Sequence, residues 1–349
     1  MRTRTSVAAT LALGLLGATL VPVLDASGVS ATSRVAVRAT VPATLSSNLP
    51  ILRLHFSRAI SAKKLPALST SPALGVRWQQ IGARDVQAVS VSALRPAVSY
   101  TIKAPASISC AVRCTFTSFR PRVAVVATSL TWEAQLLAEL NYLPVTFSPN
   151  SLVSDPATSV NGTFTWKYPD LPASLRAQWR VGVDNVILHG ALMAFQNVSN
   201  LPTTGVADAT TWANLVRAVE TNQVDPSSYN YVVVSEGSPE TTTLYVAGRL
   251  KYRTLANTGI SVAPTATGTY PVYLRYTSQT MSGTNPDGSH YADPGIPWIS
   301  YFNGGDALHG FLRSSYGWPQ SLGCVEMTYD AAKIIWPFTP IGTLVTVSA

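Results

Sequence analysis

Leu308-His309-Gly310 and, eleven residues further on, Ser321-Leu322-Gly323-Cys324-Val325-Glu326-Met327 are the segments on which the reading of this chain turns. A thiol attacks a carbonyl well only as a thiolate. A cysteine nucleophile therefore needs a base within hydrogen-bond reach and donors for the oxyanion that develops. Cys324 is the thiol, and His309, 15 residues upstream, is the candidate base. Gly323 has no Cβ, so backbone there can come close to a substrate. The amides of Gly323 and Cys324 are the candidate oxyanion donors. Spacing alone carries little weight, since any cysteine has some histidine upstream or downstream.

Outward from these segments, residues 226–349 read as strands: Tyr231-Val232-Val233-Val234, Thr243-Leu244-Tyr245-Val246, Lys251-Tyr252-Arg253-Thr254 and Val272-Tyr273-Leu274-Arg275-Tyr276. Ala247-Gly248 between two such runs is a hairpin signal. A helix is predicted from Tyr329 to Trp336, stopped by Pro337, with Gly342 to Val347 as a closing strand. Asn285, Asp287, His290 and Asp293 cluster beside the turn signals Asp287-Gly288 and Pro294-Gly295. Their spacing matches no zinc or calcium loop, so a flap over a cleft is expected rather than a metal site. Tyr291, Trp298 and Tyr301, together with Ser321, are then assigned to substrate contact; ordinary core packing is the competing reading of the three rings.

The wording of the motifs is more specific than their spacing. His309-Gly310 and Ser321-Leu322-Gly323-Cys324-Val325 resemble the catalytic signature of the L,D-transpeptidases, the YkuD-type domain. Thr258-Gly259 and Pro264-Thr265-Ala266-Thr267-Gly268-Thr269-Tyr270 resemble the same family's Thr-Gly and Thr-Pro-x-Gly-x-Tyr segments, and the Gly342-Thr343 strand also matches. The resemblance spans nearly all of 228–349. It implies an all-β catalytic domain that moves acyl groups between peptidoglycan stem peptides, with Cys324 as nucleophile, His309 as base and the Gly310 carbonyl orienting the ring. It implies no cofactor and no metal. Two positions depart from it: Leu322 stands where His or Arg is usual, and Glu326 where a polar or basic residue is often found. Both remove positive charge near Cys324.

Upstream, residues 121–222 change character. Trp132, Leu136, Leu137, Leu140 and Leu143 recur at helical spacing until Pro144. Ile187, Leu188, Ala191, Leu192 and Phe195 form a second stripe, and Asp208 is placed to cap a third helix carrying Trp212, Leu215, Val216 and Val219. Ala194-Phe195-Gln196, Leu201 to Asp208 and Thr211-Trp212-Ala213-Asn214-Leu215 resemble the pattern of a small helical peptidoglycan-binding module; a helical spacer without a ligand is the alternative. The stretch 144–180 fits that pattern less well and reads as an insertion. His189-Gly190 repeats the His-Gly pair on a helix with no free cysteine nearby, so it reads as structural, as does His55. Residues 35–120 hold short alternating runs separated by Pro and Ser, the signature of an antiparallel, immunoglobulin-like β-sandwich.

The expected organisation is therefore multidomain: a leader at 1–31, a sandwich at 35–120, a helical unit at 121–222 and a catalytic domain at 226–349. Met-Arg-Thr-Arg followed by an apolar run from Val7 to Val23 reads as a secretory signal cleaved after Ala31, with an uncleaved anchor as the alternative. No later stretch reads as a membrane span. Of the three cysteines, Cys110 and Cys114 are the natural disulfide pair in an oxidising compartment, which leaves Cys324 as the odd, reactive thiol. The formal charge is +8. Such a balance suits anionic wall polymers, whereas no Lys/Arg cluster interleaved with aromatics points to nucleic acid. The expectation is an exported, wall-associated L,D-transpeptidase acting on stem peptides. An L,D-carboxypeptidase using the same site, or a non-catalytic wall-binding protein, are the alternatives.

Overall fold

The computed structural model describes residues 35–45, 50–91, 94–103, 114–116, 122–152 and 158–349. The expected leader and Cys110 lie outside the described residues, as does the side chain of Cys114, so the expected disulfide falls there too. No described helix is long and apolar enough to cross a membrane.

Leu52-Arg53-Leu54-His55-Phe56 shows why the first segment is β: Leu52, Leu54 and Phe56 are buried while Arg53 and His55 face out, the period of a strand with one face on a core. The strands are β1 (Val35–Thr40), β2 (Thr44–Leu45), β3 (Leu52–Phe56), β4 (Ser69–Ser71), β5 (Val76–Gln80), β6 (Asp85–Ser90), β7 (Ser99–Lys103), β8 (Cys114–Phe116) and β9 (Arg122–Val126). They make two sheets, ordered β5-β6-β3-β1-β8 and β2-β9-β7-β4, around one core that includes Phe56, Tyr100 and Ile102. Two pairings, β1 with β8 and β2 with β9, are parallel, a departure from the all-antiparallel expectation. His55 pairs with Asp85 across β3 and β6 at 2.7 Å on the surface.

Four helices follow: α1 (Leu130–Glu139), α2 (Ala173–Arg176), α3 (Val186–Val198) and α4 (Ala209–Glu220). Side chains of Ser129, Asn185 and Asp208 cap α1, α3 and α4 by accepting a backbone N–H in the first turn. α1 ends well before Pro144, because Asn141 takes a left-handed conformation (φ 68°). Its side-chain amide then donates to the carbonyls of Asp225 and Ser227 at 2.7 and 3.1 Å. Between α1 and α2 lies the hairpin β10 (Val145–Pro149) and β11 (Gly162–Trp166).

Buried Gln196 explains the Phe195-Gln196 to Asp208 pattern physically. Its amide donates to Thr204 Oγ1 and the Val206 carbonyl and accepts from the Gly205 N–H. It staples the α3–α4 loop and leaves the glutamine no spare donor for a ligand. His189 packs against the same loop: a Cβ at Gly205 would fall 2.4 Å from its Nε2.

The last segment holds two more sheets. One is ordered β14-β13-β12-β20-β15, built from β12 (Asn230–Ser235), β13 (Thr241–Val246), β14 (Arg249–Leu255), β15 (Gly268–Pro271) and β20 (Leu344–Ser348). The other is ordered β16-β17-β18-β19, from β16 (Leu274–Thr284), β17 (His290–Asn303), β18 (Asp306–Gly310) and β19 (Val325–Met327). Val232, Leu244, Leu308, Val325, Met327 and Val345 share the core with α5 (Tyr329–Ile335). The β13–β14 turn is Ala247-Gly248, both at positive φ, as a tight two-residue hairpin requires. The segment expected as a loop flap is a long hairpin instead: β16 and β17 stay paired out to Thr284 and His290.

α3 docks on this part of the chain almost backbone to backbone. A Cβ on Gly190 would fall 2.6 Å from the Gly342 carbonyl oxygen, and one on Gly342 would fall 2.2 Å from that of Gly190. Tyr231 and Leu344 accordingly belong to the same hydrophobic cluster as Trp132, Leu192 and Trp212.

Candidate active site

β18 and β19 run side by side in parallel, with Leu308 opposite Val325, His309 opposite Glu326 and Gly310 opposite Met327. One step back, Ala307 lies opposite Cys324. Strand alternation sends Leu308, Val325 and Met327 into the core between the sheets. It leaves Ala307, His309, Cys324 and Glu326 together on the other face. Cys324 there borders a small apolar cluster of Ile296, Ile299 and Ala307 with Met281, Tyr301 and Phe311. His309 and Cys324 are thus diagonal neighbours, roughly 8 Å apart at Cα by strand geometry.

His309 is 2% exposed. Its Nδ1–H donates to the Gly310 carbonyl at 3.0 Å, which leaves the Nε2 lone pair free. Its ring meets Phe311 edge-on at 6.1 Å. Burial holds the imidazole below its ordinary range. The Gly310 bond and the Glu326 and Asp293 carboxylates pull the other way.

The half-buried Cys324 donates its S–H to the Gly305 carbonyl at 3.6 Å, and not to His309. Burial pushes the thiol up to about 12, and the Asp306 and Glu326 carboxylates add to this, against a hydrogen bond from the Ala307 N–H. Both shifts favour the uncharged forms, a thiol and an imidazole.

The turn before the thiol is fixed by Ser321. Its Oγ accepts the Gly323 N–H at 3.2 Å and donates to the Cys324 carbonyl. Ser321 is 3% exposed, so its hydroxyl closes the turn instead of facing a substrate. The Gly323 amide, expected to help hold an oxyanion, is engaged by that hydroxyl, which leaves the Cys324 amide. Gly323 has φ +111°, and a Cβ there would fall 2.5 Å from Asp306 Oδ1, so only glycine fits.

The Thr258-Gly259 motif buttresses this turn from behind. Ser321 N–H and Gln320 N–H donate to the Thr258 carbonyl, and Ile260 N–H donates to that of Ser321. Thr258 is itself clamped through its N–H and hydroxyl by the buried Glu240 carboxylate at 2.6 and 2.7 Å. Nothing in the sequence pattern marked Glu240.

Glu326 acts on the thiol as a negative charge, as the sequence reading expected, and a cation that the sequence pattern did not mark stands against it. Arg313, on the loop after β18, grips it bidentately at 2.7 and 2.8 Å and also donates to the Gln320 carbonyl at 3.2 Å. The guanidinium lies over Phe311, 4.6 Å from the ring centre.

The aromatic candidates divide. Tyr291 and Tyr301 are both raised chiefly by burial and next by Cys324, which places them within electrostatic reach of the sulfur. Trp298 packs on Trp336 at 5.5 Å, against the core shared by the two sheets, and so belongs to the core side. At the hairpin tip Asp287 accepts from the N–H and hydroxyl of Ser289, while Asn285 donates to that hydroxyl. Among the described residues no three His, Cys, Asp or Glu side chains converge to hold a metal.

Residues 229–347 match the family model of the L,D-transpeptidase catalytic domain, YkuD. The matched segment takes in β12 to β20, and with them Cys324 and His309. Among solved structures the chain is similar to an L,D-transpeptidase from Mycobacterium smegmatis, at 11% identity and TM-score 0.32, covering 91% of this chain and 100% of that one. It is similar to the catalytic domain of the E. faecium L,D-transpeptidase at 23% identity and TM-score 0.32, covering 36% of this chain and 100% of that one. L,D-transpeptidase 3 from Mycobacterium tuberculosis is similar at 11% identity and TM-score 0.32, covering 85% and 91%. No curated protein matches the chain.

Proposed function

We propose that the chain is an exported L,D-transpeptidase that cross-links peptidoglycan stems through a thioester on Cys324. The observation that carries this reading is the shared face of β18 and β19. It sets a histidine with its Nδ1 occupied and its Nε2 free diagonally across from the thiol. In the proposed sequence His309 Nε2 takes the thiol proton. The sulfur attacks the carbonyl carbon of the residue before a terminal D-amino acid, and the Cys324 N–H donates to the oxygen that becomes charged. The C–N bond breaks, and the leaving amine receives the proton from the imidazolium. An amine of a second stem then gives a proton to His309 and attacks the thioester. The C–S bond breaks, a new amide forms, and the thiol recovers its proton. If water takes the place of that amine, the same steps make a carboxypeptidase.

The charge of +8 supports retention on anionic wall polymers, and the helical unit is the candidate for added wall contact. Export rests on the reading of residues 1–31 as a signal.

Intact-mass spectrometry after exposure to a carbapenem tests the nucleophile. An adduct is expected on the wild type and none on Cys324→Ala. An adduct that persists on the variant rules Cys324 out. The raised, unpaired thiol favours one other reading, a non-catalytic wall protein; an unreacted wild type that still sediments with purified peptidoglycan would support it.

A further inference from the structure

Residues 257–259 grip the segment that carries the thiol at both of its ends. Asn257 exchanges two backbone hydrogen bonds of 2.9 Å with Glu326. The Thr258 carbonyl accepts the Gln320 and Ser321 N–H groups at 2.9 and 3.0 Å. The peptide that supplies this carbonyl is pinned at its other end, where the Gly259 N–H donates to Thr265 Oγ1 at 2.9 Å. Thr258 itself is held by one carboxylate, that of Glu240: Oε2 accepts its N–H at 2.6 Å and Oε1 its hydroxyl at 2.7 Å. Two donors on one residue call for an acceptor with two oxygens in a fork, which a carboxylate supplies. Glu240 is fixed in turn through its own backbone, its N–H donating to the Gly317 carbonyl and its carbonyl accepting from the Ala256 N–H. Glu240, Thr258 and Ser321 are all buried, so the chain of contacts runs through protein and not through water. It ends on the Ser321 hydroxyl, which accepts the Gly323 N–H and donates to the Cys324 carbonyl. Those two groups flank the Gly323–Cys324 peptide, whose N–H is the candidate oxyanion donor. Among the described residues Glu240 makes no ion pair, so its replacement strands no cation.

We propose that Glu240 is a positioning residue for acyl transfer. Through Thr258 and Ser321 it holds the Gly323–Cys324 peptide at the angle that aims the Cys324 N–H at the developing oxyanion. The inference rests on the reading of Cys324 as nucleophile. It adds a residue that acts on the chemistry only through two others and moves no proton itself. A donor stabilises an oxyanion only when it is already in place as the charge develops, so loosening its support slows acylation without touching the sulfur.

The test sets two reactions of the same sulfur against each other on the full chain. Acylation by a carbapenem develops an oxyanion. Alkylation by iodoacetamide forms a C–S bond at a saturated carbon as iodide leaves, and develops none. Both are followed by intact mass. In Glu240→Ala, acylation should slow at least about tenfold, within the range of a misplaced oxyanion donor, while alkylation of the folded protein stays within about threefold of wild type. Glu240→Gln should bring acylation back to within about threefold of wild type, because the amide oxygen can accept the Thr258 N–H and the amide N–H can donate to the Thr258 hydroxyl. Where Glu240→Ala does not fold, Thr258→Val takes its place: it keeps the shape, loses only the hydroxyl bond, and should slow acylation about threefold with alkylation unchanged. A merely structural role lowers the Tm, or both rates together, and leaves their ratio where it was. An unchanged ratio in the folded alanine variant, or in Thr258→Val standing in for it, therefore overturns the proposal. A glutamine variant as slow in acylation as the alanine variant also overturns it, since bracing would then not be what the carboxylate supplies. A wild type that is alkylated but takes up no carbapenem overturns the reading of Cys324, and this proposal with it. A wild type that is acylated while the ratio fails to move in the variants overturns this proposal alone.

Discussion

Replacing Arg313 with methionine keeps much of the apolar stem over Phe311 and removes the guanidinium. Glu326 then loses two charge-assisted hydrogen bonds of 2.7 and 2.8 Å while its side chain stays 5% exposed. Bonds to charged groups contribute roughly 1.5–3 kcal/mol each. The loss has a ceiling, because Glu326 can take up a proton; doing so at pH 7 costs an ordinary glutamate roughly 3.7 kcal/mol. Arg313 is 30% exposed, so water screens part of the interaction. The expected destabilisation is about 2–4 kcal/mol, or a Tm lower by about 5–15 °C for a unit of this size. Its pH dependence has a definite sign. A carboxyl buried without its cation titrates higher in the folded than in the unfolded chain, so the penalty is smallest in acid and grows as pH rises through neutral. Thermal unfolding followed by circular dichroism at pH 5 and pH 8 should show the larger drop at pH 8. Adding Glu326→Leu should restore most of the Tm, since an apolar pair replaces a stranded charge. A variant that melts with the wild type at both pH values, or a double variant no better than the single, refutes the claim that the pair is satisfied only by itself.

Three further outcomes follow from the geometry. Alkylation of Cys324 by iodoacetamide should rise about tenfold per pH unit from 7 to 10 without a plateau, because the resting thiol is pushed up to about 12; a plateau near neutrality would mean a preformed thiolate–imidazolium pair. Gly323→Ala places a Cβ 2.5 Å from Asp306 Oδ1 at a φ of +111°, so carbapenem acylation should fall at least about tenfold and stability by about 1–3 kcal/mol; acylation at the wild-type rate would count against the turn geometry. Gly190→Ala forces a Cβ to within 2.6 Å of the Gly342 oxygen and 2.8 Å of Leu344 Cδ2, for a loss of about 1–3 kcal/mol. Unchanged urea unfolding would mean that α3 does not sit on the turn into β20.

The sequence was legible wherever one local signal sufficed. Asp208 caps α4, Ala247-Gly248 turns a hairpin, and the expected closing strand is present as β20 (Leu344–Ser348). The parallel pairing of His309 with Glu326 turned a spacing of 15 into a shared face. What escaped depends on which side of a sheet a residue occupies and on partners distant in the chain. Trp298 and Tyr301 are three residues apart on one strand and serve opposite faces. Ser321 carries the right chemistry for a substrate contact, yet its hydroxyl is used by its own turn. Arg313, Glu240 and Asp306 carry no motif of their own; each acquires meaning only from the side chain or backbone that folding sets against it. Asn141 ended α1 early because its amide found carbonyls more than 80 residues away.

The contact between Gly190 and Gly342 has a mechanical consequence. At this crossing the Gly190 and Gly342 backbones meet directly, with only the Ala194 methyl and the Leu344 side chain beside them, so little side-chain freedom is left to cushion a shift. β20 in turn runs parallel to β12, in the sheet that shares its core with β18 and β19. Whatever holds the helices in place therefore fixes the heading of the face that carries Cys324 as well, as a vice fixes the tool clamped in it.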